Sequence, residues 1–368
     1  MADIYTHLRE LGVAFSFFNK NNIEEISPVY FLQICNKHIK SGTTINISQI
    51  AENTLSFTGR ELETIKNAIK LGDAIKEQFK ISDNPKIAWL GNDTQSDSPV
   101  DLIIDEYKFS LKEESFILEN MGLYKLLNIL LDDEIYTKGV HVFKEFAKEE
   151  FDNWLRVTCK LLVDSDESFA IEKHGKYEAG GNIESGNIML AYNEQKICLD
   201  DPLNINCEKF ENITNAKIRE YAFSKWLKVN IESNPEYVAA KKHCAEQAGL
   251  NLLELVKPSE ESSPKMLKRF FRIEQDEYYY AKTTSKEIKI YKVPSALEAE
   301  QNIKIKEVST AVPKSQLNFY TEIENIKTNK SITFRNELRY SHGQFNGTPE
   351  AKCYISEGDL TAMYERVL

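Results

Sequence analysis

The segment from Ser98 to Ser115, SPVDLIIDEYKFSLKEES, concentrates carboxylate, hydroxyl and amine side chains in a short stretch of chain. The runs VDLII and YKFSLKE have the composition of two short strands, and the acidic pair Asp105-Glu106 between them suits a tight turn. Residues that pair directly across such a hairpin project from the same face of the sheet. The segment therefore predicts one face that collects polar side chains and an opposite face that is apolar.

The predicted polar face carries Asp101, Ser110, Lys112 and Glu114. Pairing through the turn sets Asp101 opposite Ser110, and side-chain alternation adds the other two residues to the same face. Hydrolysis of a phosphodiester uses such groups, because Mg²⁺ needs only one or two carboxylates and activates a water. A lysine beside that water can orient it and stabilise the developing charge.

A second acid-x-lysine frame overlaps the first, at Glu106 and Lys108. We disfavour this frame because Glu106 would lie in the turn, too close in sequence to Asp101 for the two carboxylates to meet across the strands. A turn longer by two residues would reverse that preference. The alternative to both frames is a hairpin whose charged face is simply solvated.

The arrangement resembles the signature of PD-(D/E)xK nucleases, in which an aspartate opens a strand and an acid-x-lysine motif lies on the returning strand. PVD at Pro99–Asp101 is similar to the first half, and SLK at Ser110–Lys112 occupies the place of the second, with serine where the acid is usual. The predicted helix, three strands and helix over residues 58–133 are similar to the core of that superfamily. The later segment RNELRYSHGQFNGTPEAK is similar to one found in some type II restriction endonucleases.

This resemblance implies Mg²⁺-dependent, sequence-specific cleavage of double-stranded DNA. It makes Asp101 the main metal ligand and the backbone carbonyl of Leu111 a further ligand, while Lys112 positions the attacking water. Ser110 then holds a catalytic position without the usual acid, and Glu114 is the nearest same-face carboxylate to replace it. The resemblance also implies a homodimer, because two-fold symmetry suits cleavage of both strands of a palindrome.

Candidate contacts to DNA bases lie near the C-terminal end, on a predicted strand end and the loop after it. They are Arg335, Arg339, His342, Gln344 and Asn346. Arginine reads guanine edges, and glutamine or asparagine reads adenine edges, in the major groove. The histidine could instead contact a phosphate. The alternative for this loop is an ordinary glycine-containing turn.

Charge and composition bound the class of protein. The chain has 368 residues and a net charge of −11, which argues against general coating of nucleic acid, yet residues 265–344 hold 15 Lys and Arg against 10 Asp and Glu. The six scattered cysteines form no CxxC pair, and no His and Cys spacing suits zinc. No run approaches the roughly eighteen apolar residues of a membrane span, and no apolar leader opens the chain. We expect a cytoplasmic protein with no membrane partner.

The expected fold is α/β, with a mixed central sheet flanked by helices in a restriction-endonuclease-like core and a β-rich C-terminal part. We predict an N-terminal helical segment (1–57), a nuclease core with helical insertions (58–257) and a C-terminal DNA-recognition part (258–368). The first core helix carries Glu61, three residues after Thr58, as in a capping box. The alternative function is a non-catalytic DNA-binding or protein-interaction protein. A nuclease for RNA or damaged DNA would share the chemistry.

Overall fold

The fold is taken from a computed structural model of the chain. It describes residues 4–22, 26–41, 47, 57–91, 98–112, 117–119, 122–131, 133–174, 177–256, 273, 276–284, 286–340 and 343–368. No helix within these ranges is both long enough and apolar enough to cross a membrane.

The described α-helices fall in four parts of the chain, and the last part holds a single short helix. The helices are α1 (Ile4–Ser16), α2 (Pro28–His38), α3 (Arg60–Phe79), α4 (Leu123–Leu130), α5 (Val142–Phe146), α6 (Lys148–Ser165), α7 (Cys207–Ile213), α8 (Ser224–Asn230), α9 (Pro235–Leu255) and α10 (Ala296–Asn302). A π-helical turn at Ile218–Phe223 leads directly into α8.

The described strands form three sheets. The strands are β1 (Ile39–Ser41), β2 (Ile87–Trp89), β3 (Leu102–Ile104), β4 (Tyr107–Lys112), β5 (Ile117–Glu119), β6 (Phe169–His174), β7 (Tyr177–Glu184), β8 (Asn187–Tyr192), β9 (Gln195–Leu199), β10 (Tyr278–Thr283), β11 (Ile288–Val293), β12 (Ile303–Ala311), β13 (Asn318–Asn325), β14 (Lys330–Arg339), β15 (Glu350–Glu357) and β16 (Glu365–Arg366). The sheet orders are β1-β2-β3-β4-β10-β11-β16, then β12-β13-β14-β15-β5, and β6-β7-β8-β9.

The seven-stranded sheet is mixed. Strands β2, β3 and β4 form an antiparallel meander, whereas β1 pairs with β2 and β10 pairs with β4 in parallel. Alternate residues of β4 and its neighbours enter two different hydrophobic cores. Phe109, Leu111 and Ala281 pack with helices α1 to α3, while Tyr278 and Tyr280 pack with the other helices and the five-stranded sheet. The sheet is therefore covered on both faces, as burial of both sides of a strand requires.

Helices α1 and α3 cross at close range on one face of this sheet. A Cβ atom on Gly12 would lie 2.7 Å from the Ala68 Cβ, and one on Gly72 would lie 2.7 Å from the Val13 carbonyl oxygen. The Gly72 Cβ would also collide with the Ser16 hydroxyl. Two glycines therefore allow the helices to approach, and this approach fixes α1 against the sheet.

The coarse fold prediction is confirmed: the protein is α/β, with a mixed central sheet, flanking helices and a β-rich C-terminal part. The seven-stranded sheet draws strands from all three predicted segments, because β1, then β2 to β4, and then β10, β11 and β16 contribute to it. The three-part division therefore stays a prediction.

Two local predictions were wrong. The expected single helix over residues 115–133 is a strand, β5, followed by the shorter α4, because β5 pairs with β15 from the distant C-terminal part. Helix α3 begins after Gly59 without a side-chain cap. The N-cap is Gly59 and not the predicted Thr58, and the Glu61 carboxylate accepts a hydrogen bond from the Phe57 N–H at 2.9 Å.

Replacement of Gly72 by alanine tests the close crossing of α1 and α3. The added methyl group must push against the Val13 carbonyl and the Ser16 side chain, so the free energy of unfolding should fall by about 1–3 kcal/mol. Urea unfolding followed by circular dichroism measures this change. Lys70→Ala, on an exposed position of the same helix, is the control and should change stability by less than about 0.5 kcal/mol. Equal effects of both substitutions would contradict the close packing.

Candidate active site

The β3–β4 hairpin has the register that the sequence predicts. Ile104 pairs with Tyr107 across the turn. Asp105 adopts a left-handed conformation (φ 52°), and its carboxylate accepts a hydrogen bond from the Lys86 N–H at 2.8 Å. The turn is therefore held against the chain that enters β2, and its length is fixed. A fixed turn length sets the pairing of every residue farther along the hairpin.

Asp101 lies at the open end of this hairpin, immediately before β3. Its Oδ2 atom accepts a hydrogen bond from the Leu111 N–H at 2.6 Å and one from the Ser110 hydroxyl at 3.5 Å. Its own N–H donates to the Phe109 carbonyl at 2.8 Å. Ser110 is buried, with 1% of its surface exposed. The predicted contact between Asp101 and the serine of the SLK motif is confirmed.

Glu10 of α1 is a second carboxylate in the same region. It is 1% exposed, and its Oε2 atom accepts a hydrogen bond from the Trp89 indole N–H at 2.7 Å. The imidazole Nδ1 of His7 lies 3.9 Å from the same oxygen. Trp89 belongs to β2, which pairs with β3 just after Asp101. A charged side chain of the N-terminal helix is thus buried beside the hairpin.

The electrostatic environment links Asp101 to Lys112 and Glu10. Burial raises the pKa of Asp101 to about 6, opposed by the positive charge of Lys112 and reinforced by the negative charge of Glu10. The hydrogen bond from Leu111 and the charge of Arg9 lower the pKa of Asp101 by smaller amounts. Asp101 keeps some exposed surface, although its carboxylate is largely enclosed by protein. Lys112 and Glu10 therefore both act electrostatically on Asp101.

The parallel pairing of β4 with β10 adds two further side chains to this face. Lys282 lies opposite Lys112, and Tyr280 lies opposite Ser110. Paired residues project from the same side of a sheet, so a second lysine stands beside Lys112. This face therefore carries two amines, which suit a phosphate, whereas Glu10 belongs to α1, which packs on the Phe109 and Leu111 face.

The rival frame at Glu106 and Lys108 is arranged differently. Glu106 is exposed in the turn. The Lys108 amine forms an ion pair with the Asp276 carboxylate at 2.8 Å. Lys108 and Asp276 border a cavity of about 400 Å³ that also contacts Val100 and Ile103, on the same side of the hairpin as Ser110. This lysine is therefore paired away from Asp101.

Other predicted site residues lie outside this cluster or outside the described ranges. Glu114 and His342 fall on residues that the structure does not describe. Leu111 contributes its N–H to Asp101, and a metal-binding role of its carbonyl stays a prediction.

The predicted base-reading residues occupy β14 and the loop after it. The Arg335 guanidinium lies over the Tyr354 ring at 4.9 Å from its centroid. Arg339 is exposed at the end of β14, whereas Gln344 is 5% exposed, and both border one cavity. Asn346 is on the same loop and half-buried. Two of the five residues are thereby brought together, and contact with DNA stays a prediction.

Asp101 and Glu10 fit Mg²⁺ in ligand type and number, because this ion commonly uses one or two carboxylates with waters and phosphate oxygens. Within the described ranges, no group of three or more His, Cys, Asp or Glu side chains could hold a metal ion. A site built here would therefore depend on the two carboxylates and on oxygens from water and substrate.

Comparison with protein-family models, with curated proteins and with solved structures finds no match to this chain.

Sequence reasoning missed Glu10. The sequence placed the second carboxylate at Glu114, next to the hairpin. A signal for Glu10 was present, because in the α1 sequence IYTHLRELGVAFS it stands between Leu8 and the apolar run that begins at Leu11, on a helix that is buried almost all round. Acidic residues are rarely buried unless they are paired or have a function.

The raised pKa of Asp101 predicts how the folded protein responds to pH. Burial disfavours the ionised carboxylate, so this group destabilises the fold above its pKa of about 6 and ceases to do so as pH falls towards 4. Asp101→Asn keeps an oxygen for the Leu111 N–H and removes the charge. The variant should be more stable than the original chain by about 1–3 kcal/mol at pH 8, and by little at pH 4.

Urea unfolding between pH 4 and pH 8, in the presence of a chelator, measures this difference. Glu106→Gln, which neutralises an exposed carboxylate in the neighbouring turn, is the control and should change stability little across the range. A stability difference for Asp101→Asn that stays constant with pH would contradict the raised pKa.

Proposed function

We propose that the protein is a Mg²⁺-dependent endonuclease that hydrolyses phosphodiester bonds of double-stranded DNA, with Asp101, Lys112 and Glu10 at its active site. The observation that carries this proposal is the enclosed Asp101 carboxylate at the open end of the β3–β4 hairpin, which is hydrogen-bonded to the Leu111 N–H and lies within the electrostatic influence of Lys112 and Glu10. A carboxylate such as Asp101, whose pKa is raised by burial next to specific charged groups, is a candidate functional residue.

The order of elements supports the proposal. Helix α3, strands β2, β3 and β4, and then helix α4 follow one another as the resemblance to PD-(D/E)xK nucleases implies. Asp101 opens the second strand of the meander, and Ser110 to Lys112 end the third. The short strand β5 between β4 and α4 departs from that order.

The second carboxylate is proposed to come from α1. Ser110 is uncharged, so it cannot supply the negative charge of the usual acidic metal ligand. Its hydroxyl donates a hydrogen bond to Asp101 and so helps to orient that carboxylate. Glu10 supplies the missing negative charge from a different element. One of its oxygens accepts the hydrogen bond from the Trp89 indole, and we propose the other as a metal ligand.

Each residue then has a defined role. Asp101 and Glu10 hold Mg²⁺, which when bound polarises the phosphate and lowers the pKa of a water. The Leu111 N–H and the Ser110 hydroxyl fix the rotamer of Asp101. Lys112 orients the attacking water by a hydrogen bond and stabilises negative charge on the phosphate in the transition state. Lys282 adds positive charge for the substrate backbone beside Lys112.

The substrate and assembly follow from charge and from the resemblance. The segment 265–344 has an excess of basic residues in an otherwise acidic chain, which favours a polyanionic partner on that part of the molecule. We propose Arg335 and Arg339 as contacts to DNA and a homodimer as the cutting unit, since two copies related by two-fold symmetry can cleave both strands.

Loss of Mg²⁺-dependent cleavage in two variants tests the active site. Asp101→Asn and Lys112→Met should each reduce cleavage of a mixed-sequence plasmid by a factor of about 10²–10³, because each removes a charge at the reacting phosphate. Glu106→Gln and Lys108→Met, the rival frame, serve as matched controls and should retain activity. Circular dichroism confirms folding. Full activity of both site variants, or absence of cleavage by the original protein with Mg²⁺, would contradict the proposal.

The source of the second carboxylate has its own test. Glu10→Gln keeps an oxygen for the Trp89 N–H and removes the charge, so cleavage should fall about as far as in Asp101→Asn and require a higher Mg²⁺ concentration. Glu114→Gln and Glu61→Gln are the matched comparisons and should cleave normally. Normal cleavage by Glu10→Gln together with inactive Glu114→Gln would transfer the role to Glu114.

A further inference from the structure

A second cavity lies away from the hairpin, between the helices and the five-stranded sheet. It has a volume of about 200 Å³, and we call it the aromatic–basic cavity. Its wall combines residues of four parts of the chain: Phe143 of α5, Trp154 of α6, Lys241 of α9, and Tyr340 and Gln344 of the chain after β14. Pockets for drug-sized ligands measure roughly 300–1,000 Å³, so this cavity suits a smaller molecule.

One side of the aromatic–basic cavity is formed by three rings. The rings of Phe143 and Tyr340 are stacked with centroids 6.0 Å apart, and the Trp154 ring stands across both at 6.3 Å and 6.1 Å. Phe143 and Trp154 are 4% and 1% exposed. Such a rigid aromatic wall favours a planar ring as the ligand, because stacked and edge-on arrangements of rings are both attractive.

Two buried polar atoms belong to residues that line the cavity and have no hydrogen-bond partner within the described ranges. Gln344 is 5% exposed, and neither its Oε1 atom nor the Tyr340 hydroxyl has a hydrogen-bond partner among the residues that the structure describes. A buried polar atom without a partner costs about 1–3 kcal/mol. A ligand with hydrogen-bond donors and acceptors on its edge would satisfy these atoms.

The cavity has an excess of positive charge. Lys228, Lys241 and Arg339 line it, against the single carboxylate of Glu232. Burial lowers the pKa of Lys241, and the nearby Lys228 adds to that effect while Glu232 opposes it. An anion near these side chains would offset the repulsion between the cations. The ligand therefore combines a planar polar ring with a negative charge.

The loop that carries Gln344 is held in a strained conformation. The next residue, Phe345, is 2% exposed and has a φ of 61°, which is rare for a bulky side chain. Gly343 has a φ of 93°, and a Cβ there would lie 2.5 Å from the Ser224 side chain, whose hydroxyl donates to the Gln344 carbonyl at 2.8 Å. Packing around the loop keeps the Gln344 side chain at the cavity despite this strain.

We propose that the aromatic–basic cavity binds a single nucleotide unit. The base lies against Phe143, Trp154 and Tyr340, its polar edge faces the Gln344 amide, and its phosphate lies between Lys241 and Arg339. A glutamine amide matches the donor and acceptor pattern of a base edge, and aromatic walls hold bases that leave the helical stack. The nucleotide can be free or an extrahelical residue of DNA, and only the DNA source rests on the proposed nuclease function.

Titration with the four deoxynucleoside monophosphates tests the cavity. Calorimetry, with the fluorescence of the buried Trp154 as a second readout, should detect at least one nucleotide at submillimolar concentration and inorganic phosphate at least tenfold more weakly. Lys241→Met and Gln344→Leu should each weaken nucleotide binding tenfold or more. Lys242→Met changes an exposed neighbour on the same helix and should leave binding unchanged. Arg339→Met at the exposed rim supplies a further variant if Gln344→Leu fails to fold.

A duplex with one unpaired 2-aminopurine separates the two sources of the nucleotide. One outcome is that the protein changes the fluorescence of this duplex in a way that the best-binding monophosphate reverses and Lys241→Met weakens. That result identifies an extrahelical nucleotide of DNA as the ligand. Binding of monophosphates without any effect of this duplex identifies a free nucleotide. No binding of any monophosphate at millimolar concentration, or unchanged binding by both cavity variants, overturns the proposal.

The cavity proposal and the nuclease proposal can be contradicted independently of each other. Asp101→Asn should bind the monophosphate normally, because Asp101 does not border the cavity. Plasmid cleavage without nucleotide binding would overturn the cavity alone, and nucleotide binding without Mg²⁺-dependent cleavage would overturn the nuclease site alone.

Discussion

The hydrogen bond from the Trp89 indole to the Glu10 carboxylate joins the N-terminal helix to the sheet, and the site depends on it. Burial of a carboxylate is costly unless its oxygens are satisfied, so this bond makes the position of Glu10 tolerable. The close crossing at Gly12 and Gly72 holds the same helix from the opposite side. The carboxylate is thus fixed by rigid elements, which suits a catalytic or binding group better than placement on a loop.

The hairpin was predictable because its determinants are local. Its two-residue turn fixes the pairing of Ile104 with Tyr107, and alternation then brings Asp101 to Ser110 without knowledge of any other element. Glu10 was not predictable in this way. The described chain between Glu10 and Asp101 holds the end of α1, the helices α2 and α3, and the strands β1 and β2. No sequence periodicity predicts which distant helix packs beside which strand.

The C-terminal loop illustrates the same limit. The sequence identified Arg339 and Gln344 as residues able to read bases, on the basis of their chemistry alone. Nothing in the sequence indicates that Gln344 is buried, or that α5, α6 and α9 supply aromatic and cationic groups around it. All three helices end more than eighty residues before Gln344 in the chain. Residue type thus indicated what the groups can contact, and tertiary packing determined where they meet.

The parallel pairing of β4 with β10 has a consequence for the order of folding. The two strands are separated by the 165 residues between Lys112 and Tyr278, so their pairing closes a very long loop. Contacts between residues so far apart in the sequence form late, because the chain loses conformational entropy when the loop closes, before these contacts stabilise it. Strand β4, which carries Lys112, can pair with β10 only after Tyr278 and the residues that follow it have been synthesised. A growing chain on the ribosome therefore holds this lysine in an unfinished sheet, and any hydrolytic capacity of the site is delayed until most of the protein exists.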